Sequence, residues 1–180
     1  MRSLIDRLAG ASIGATWNFY REGDRSALLR ERLGRYLDQH ADAPILLVGE
    51  APGYRGARVS GIPFTSERQL SGVGPAEATA TIVHRTLAET GVRVLLWNVV
   101  PTHPGTEDSN RRPTKAEVEA GLPFAVELAK NKQVIAVGRV AARALGAPYI
   151  RHPSHGGASD FKAGLLQFAP GGRSVRPFSV

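Results

Sequence analysis

Apolar residues along this chain fall into two kinds of pattern. Three short unbroken runs, PILLVG at 44–49, RVLLWN at 93–98 and QVIAVG at 133–138, have the length and continuity of strands buried on both faces of a sheet. Between them the spacing turns helical. In residues 25–39, Leu29, Leu33 and Tyr36 fall at i, i+4 and i+7 with arginines between them. Pro75 suits the first position of a helix running to about Thr90, with Ile82, Val83 and Leu87 facing inward. Thr114 with Glu117 is a capping-box pair opening a helix that Val118, Leu122, Ala125 and Ala129 continue. Pro123 stands inside that helix, where its missing N–H and its ring predict a kink.

RVAARALG after the third run reads as a short helix ended by Gly146, PYI at 148–150 as a brief fourth strand, and 160–168 as helical. Residues 1–24 show no clear period, and Trp17, Phe19 and Tyr20 are expected to pin them to the body. Residues 169–180 read as a loose tail. Strands alternating with helices predict an α/β fold: a three-layer α/β/α sandwich around a four-stranded, mainly parallel sheet. The 180 residues are expected to form one domain, with 1–24 as an N-terminal extension and 169–180 as a C-terminal tail.

In such sheets ligands bind beyond the carboxyl ends of the strands. The residues there are Gly49-Glu50, Asn98, Gly138 and Arg151-His152, so polar side chains from distant parts of the chain are predicted to share one rim. The first exit leads into an irregular stretch, 50–74, holding five glycines together with Ile62, Phe64 and Leu70. Loops of that length in compact domains are usually functional or disordered, and the apolar anchors favour an ordered, functional one.

Composition narrows the chemistry. The chain has no cysteine, which removes disulfides, thiolate nucleophiles, thiolate zinc sites and iron–sulfur clusters. The five histidines, His40, His84, His103, His152 and His155, show no paired ligand spacing, so no metal site is expected. Nothing approaches the ~18 apolar residues of a membrane span, and the first residues lack the apolar core of a secretory signal; a cytosolic address is the expectation. The formal charge of +7 suits a partner with a phosphate backbone, or else a dispersed solubilising charge.

Five stretches carry a resemblance. GEAPG after the first strand, SGIPFTSE in the long loop, WN ending the second strand, VIAVGRVAARAL and HPS after the last strand resemble, in order and spacing over about residues 44–165, the motifs of the uracil-DNA glycosylase superfamily. The similarity points to bacterial members related to the thermostable iron–sulfur glycosylases, from which this chain departs by lacking every cluster cysteine. The resemblance implies a monofunctional, cofactor-free enzyme, acting as a monomer in the bacterial cytoplasm. Such an enzyme flips deoxyuridine out of single- or double-stranded DNA and hydrolyses its N-glycosidic bond. It also implies residue roles. Asn98 would pair with the uracil edge, Phe64 would stack on the base, and His152 would stabilise the departing anion. Glu50, Ala51, Gly53 and Tyr54 would complete the pocket. Pro52, Arg55, Ser154, His155 and Gly156 would meet DNA.

Three departures matter. The best-known glycosylases carry a water-orienting Asp at the third position of the first motif and a bulky Tyr at the fifth; here these are Ala51 and Gly53. Water activation then falls to Glu50, with Glu67 and Asp108 as understudies, and the wall against thymine's methyl to Tyr54 or Arg55. The apolar wedge usual after HPS is replaced by His155, Gly156 and Gly157. Arg55, Arg58, Arg111, Arg112, Arg151 and Lys162 are expected near the rim as phosphate contacts. Two other readings stay open: a lesion or abasic-site binder of the same fold with little turnover, and an α/β hydrolase using Ser66 or Ser154. The latter is weakened because neither serine sits in a Gly-x-Ser-x-Gly elbow.

Overall fold

The computed structural model describes residues 2–168; the stretch read as a tail, 169–180, lies outside them. Four strands, β1 (Ile45–Gly49), β2 (Val94–Asn98), β3 (Gln133–Val137) and β4 (Tyr149–Ile150), form one sheet in the order β2-β1-β3-β4, and every pair is parallel. Every residue of β1 and β2 is buried. That is why these strands read as unbroken apolar runs, with each fully buried Leu or Val contributing about 1.5–3 kcal/mol.

Eight helices accompany the strands in the described residues: α1 (Arg2–Gly10), α2 (Ser26–Gln39), α3 (Ala57–Ser60), α4 (Glu67–Ser71), α5 (Ala78–Thr90), α6 (Lys115–Leu128), α7 (Arg139–Leu145) and α8 (Ala158–Leu166). The chain steps outward from β1 to β2 and outward the other way from β3 to β4. Right-handed crossovers therefore put α5 on one face and α6 and α7 on the other. Contacts follow that division: α6 packs on α7, and α5 on α8. The reversal between β1 and β3 is a topological switch point, and their carboxyl ends diverge into a crevice.

Several local expectations shift. Residues 2–10, read without a period, form α1, whose Leu4, Ile5 and Leu8 are buried. Its carboxyl end is capped from outside the helix, since the Asn18 side-chain amide donates to the carbonyls of Leu8 and Ala11 at 2.8 and 3.1 Å. Helix α5 starts at Ala78 rather than Pro75, with Glu77 as its N-cap residue, and buries Ala80, Val83 and Thr86 while Ile82 and Leu87 are half-buried. Helix α6 runs across Pro123, which is exposed. Its inward line is Glu117, Gly121, Ala125 and Leu128, one position from the apolar spacing. Gly121 explains the offset: any Cβ there would overlap the Val99 carbonyl, so the helix lies directly on the backbone leaving β2. Of the anchors in the long loop, Ile62 and Phe64 are buried but Leu70 is 41% exposed.

Glu117, 2% exposed, ties three segments together. Its carboxylate accepts both Arg111 guanidinium nitrogens at 2.8 and 2.6 Å, the Thr114 N–H at 2.8 Å and the Ala15 N–H at 3.2 Å. Arg111 above all, then the backbone donors, hold the carboxyl at about 2 against an ordinary 4.5. Since the folded value lies below the unfolded one, this stabilisation is complete above the unfolded value and is lost as pH falls toward the folded one. Glu117→Gln is expected to lower the thermal midpoint by about 4–8 °C, from a loss of roughly 2 kcal/mol after allowing for the partial exposure of Arg111. Thermal unfolding followed by circular dichroism should show that gap shrinking between about pH 6 and about pH 3.

Candidate active site

A cavity of about 750 Å³ opens at the carboxyl ends of the strands, bounded by the stretches after β1, β2, β3 and β4. A larger one, about 910 Å³, lies between α2, α5 and the edge strand β2. It contains none of the rim residues and reaches the amino-terminal ends of the strands, away from the switch point.

Asn98 is the last residue of β2, in register with Gly49 at the end of β1. It is 4% exposed, yet neither its amide nitrogen nor its amide oxygen hydrogen-bonds any described residue, and both reach the cavity. An asparagine serving only a strand end would satisfy nearby backbone groups. This one leaves a donor and an acceptor side by side for whatever fills the cavity.

Phe64 forms the adjacent wall. Its φ of 53° is left-handed, a costly conformation for an aromatic residue that only a well-determined surround sustains. Ser60 supplies part of that surround: its hydroxyl donates to the Thr65 carbonyl at 2.7 Å and accepts the Ile62 N–H at 3.1 Å. Thr65 is also tied to His84 Nε2 at 3.0 Å. Gly49 makes the placement possible. A Cβ there would overlap the Phe64 ring and stand 2.9 Å from Asn98 Oδ1. The glycine that ends the first strand is thus a steric requirement for the placement of both side chains.

His152 enters from beyond β4. Its Nδ1 accepts the Ser154 N–H at 3.2 Å and lies 2.8 Å from the Ser154 hydroxyl, which leaves the proton of the neutral ring on Nε2. Burial, with a smaller contribution from the charge of His155, pushes the imidazole below its ordinary value and so toward the neutral form. The turn is built for close approach: His155 and Gly156 are both left-handed, with φ of 51° and 77°, and a Cβ on Gly157 would overlap the His152 carbonyl.

The β1-exit loop supplies Glu50, Ala51, Pro52 and Gly53 to the cavity wall. The Glu50 carboxyl has no hydrogen-bonding partner among the described residues, and burial raises its pKa against the opposing pull of Arg112. The loop is pinned from the side by His103, fully buried, whose ring nitrogens lie 2.8 Å from the carbonyls of Pro52 and Thr106. His103 is in turn paired with Trp17 through two backbone hydrogen bonds, so the amino-terminal segment underpins the site.

Other expected site residues lie elsewhere. Tyr54 is outside the cavity lining; its N–H donates to Asn110 Oδ1 at 2.9 Å, and Arg55, also outside, sits 5.4 Å from its ring centroid. Glu67 is locked in ion pairs with Arg32 and Arg25, and Asp108 is bonded to Thr106 on the surface, so neither understudy reaches the cavity. Arg58 is occupied by Glu107 and the face of Trp17, and Lys162 by Glu89. Gly156 shapes the turn without lining the cavity. Ser66 caps α4, and Ser154 holds the His152 ring, which removes both from a nucleophile's role. Arg112, Arg151, Ser154 and His155 do line the mouth, and Arg111 does so while bound to Glu117.

Three contributors were missed. Arg139 and Arg143 stand at i and i+4 on α7 and reach the mouth. Their spacing was present in RVAARAL but was absorbed into the helix reading. Glu77 also lines the cavity, on a segment read as ordinary helix start. A flat aromatic plate, an amide and a carboxyl without partners among the described residues, and an imidazole pushed toward its neutral form, under a mouth set with arginines, suit one heterocyclic base on an anionic backbone.

The family model of the uracil DNA glycosylase superfamily matches residues 37–170, and the chain belongs to that superfamily. A type-4 uracil-DNA glycosylase from Pyrobaculum aerophilum is 33% identical over 107 residues, which are 56% of this chain and 47% of that protein, so the match spans about half of that curated relative. Wild-type SMUG2 of Pedobacter heparinus has the same fold, with a TM-score of 0.60 at 15% identity over 88% of this chain and 91% of that one.

Proposed function

We propose that this chain is a monofunctional DNA glycosylase that takes deoxyuridine out of DNA and hydrolyses its N-glycosidic bond, leaving an abasic site. The observation that carries the reading is the Asn98 amide: buried, without a hydrogen-bonding partner among the described residues, and held beside the Phe64 ring by Gly49. Uracil presents an adjacent carbonyl and N–H, which one amide can meet together. Cytosine presents the opposite pattern there and would leave polar groups unpaired. Stacking on Phe64 offsets part of the few kcal/mol that flipping costs, by about 1–3 kcal/mol.

Cleavage moves the electron pair of the C1′–N1 bond onto the base while the sugar acquires oxocarbenium character. His152 Nε2–H donates a hydrogen bond to the oxygen on which the negative charge collects. Ionised Glu50 stabilises the cationic sugar and takes the proton of the attacking water, whose oxygen forms the new bond to C1′. Arg112, Arg139, Arg143 and Arg151 meet phosphates around the mouth, positioning the strand without reading sequence. Ala51 favours the second reading, a binder of abasic DNA, because no carboxylate stands at that point of the wall.

A base-panel excision assay on single- and double-stranded oligonucleotides, run beside binding to abasic DNA, separates the two. The expected result is uracil release. Tight abasic-site binding with no base released would replace the enzyme by the binder.

A further inference from the structure

Glu77 has the N-cap position of α5 with extended backbone, φ −121° and ψ 127°, yet its side chain makes no capping hydrogen bond. It turns instead to the β1-exit loop. A Cβ on Gly53 would overlap one Glu77 carboxyl oxygen and a Cβ on Gly56 the other, so the carboxyl lies flat on the turn closed by the Gly56 N–H to Gly53 carbonyl bond. Two glycines, three residues apart, make room for it. No described residue offers it an ion pair or a hydrogen bond, and burial raises its pKa. It nonetheless lines the same cavity as Asn98 and Phe64.

We infer that Glu77 is a specificity-determining residue: its side chain fills the space left open by Gly53 and closes the cavity against apolar substituents on the edge of the base turned away from Asn98. This rests on the glycosylase reading above. A pyrimidine stacked on Phe64 with its pairing edge toward Asn98 has only its C5–C6 edge left to meet the rest of the wall. Uracil carries a hydrogen at C5; thymine carries a methyl group, which needs the volume the carboxyl occupies. Admitting it would also strip water from a carboxyl that has no donor among the described residues to replace it. Both effects act against the methylated base and leave the unmethylated one alone.

The test is the ratio of thymine to uracil excision, measured under single-turnover conditions on oligonucleotides carrying either base opposite guanine. Glu77→Ser opens the wall while supplying a hydroxyl suited to the N-cap, so α5 keeps its start. Glu77→Ala opens it without one, and Glu77→Gln keeps the bulk. The serine and alanine variants are expected to raise the ratio at least about tenfold, the lower end of what one methyl group is worth in a pocket, and the glutamine variant to keep the wild-type ratio within about threefold. An unchanged ratio in both opened variants overturns the inference while leaving the glycosylase reading intact. So does equal loss of both activities in a variant with a wild-type thermal midpoint, which would give Glu77 a part in the chemistry instead. Wild-type protein that releases neither base overturns both.

Discussion

Asn98→Ala is expected to reduce single-turnover release of uracil by about 10²–10³-fold while leaving the thermal midpoint near that of the wild type. The two halves belong together. A buried asparagine that served the fold would take protein hydrogen bonds with it when removed, and stability would fall. Asn98 makes none among the described residues, so its loss leaves no partner orphaned. What disappears, on the proposed glycosylase function, is a donor and an acceptor fixed beforehand where the base would lie, and preorganised groups of this kind are where enzymes concentrate transition-state stabilisation. Single-turnover kinetics with calorimetry on the same preparations checks both. A variant that melts early and still excises at the wild-type rate would make Asn98 a structural residue.

His152→Ala is expected to cost a comparable 10²–10³-fold, and the pH profile of the wild type reveals how the residue works. Ser154 fixes the tautomer, so the neutral ring already presents Nε2–H to the cavity. Burial lowers the pKa below 6.5. The neutral donor is therefore kept to lower pH than an ordinary histidine would allow, and the rate is not expected to rise, with respect to this group, as pH falls through that range. If the imidazolium were the active form, the rate would instead climb as pH dropped through that range. A profile measured from about pH 8 to about pH 5 decides between the two.

The parts of this molecule written as periodicity were legible from residues alone. Three continuous apolar runs became β1, β2 and β3, and the rule that ligands gather at strand carboxyl ends led to Glu50, Asn98 and His152, all of which do line one cavity. What escaped was set by tertiary contact. Helix α1 is completed by Asn18 from beyond its end. Helix α6 turned by one position because Gly121 and Glu117, neither apolar, hold its inward face. Tyr54 and Glu77 exchanged places in the wall for a similar reason. Sequence proximity favoured Tyr54, next to Gly53, whereas the space over Gly53 is filled from 24 residues away, by a side chain that no local pattern distinguishes from a helix start.

Gly49, Gly53 and Gly56 lie within eight consecutive positions, and at each of them a single added carbon would displace a side chain facing the cavity: Phe64 and Asn98 in the first case, Glu77 in the other two. The three are not equivalent. At Gly49 the added carbon meets the Phe64 ring, held by its own left-handed backbone, and leaves no room. At Gly53 and Gly56 it meets the carboxyl end of a flexible Glu77 chain that can swing aside. Random mutagenesis scored by activity would mark Gly49 as intolerant as any acid or base, although it contributes no functional group, while Gly53 and Gly56 would accept small side chains at the cost of moving Glu77.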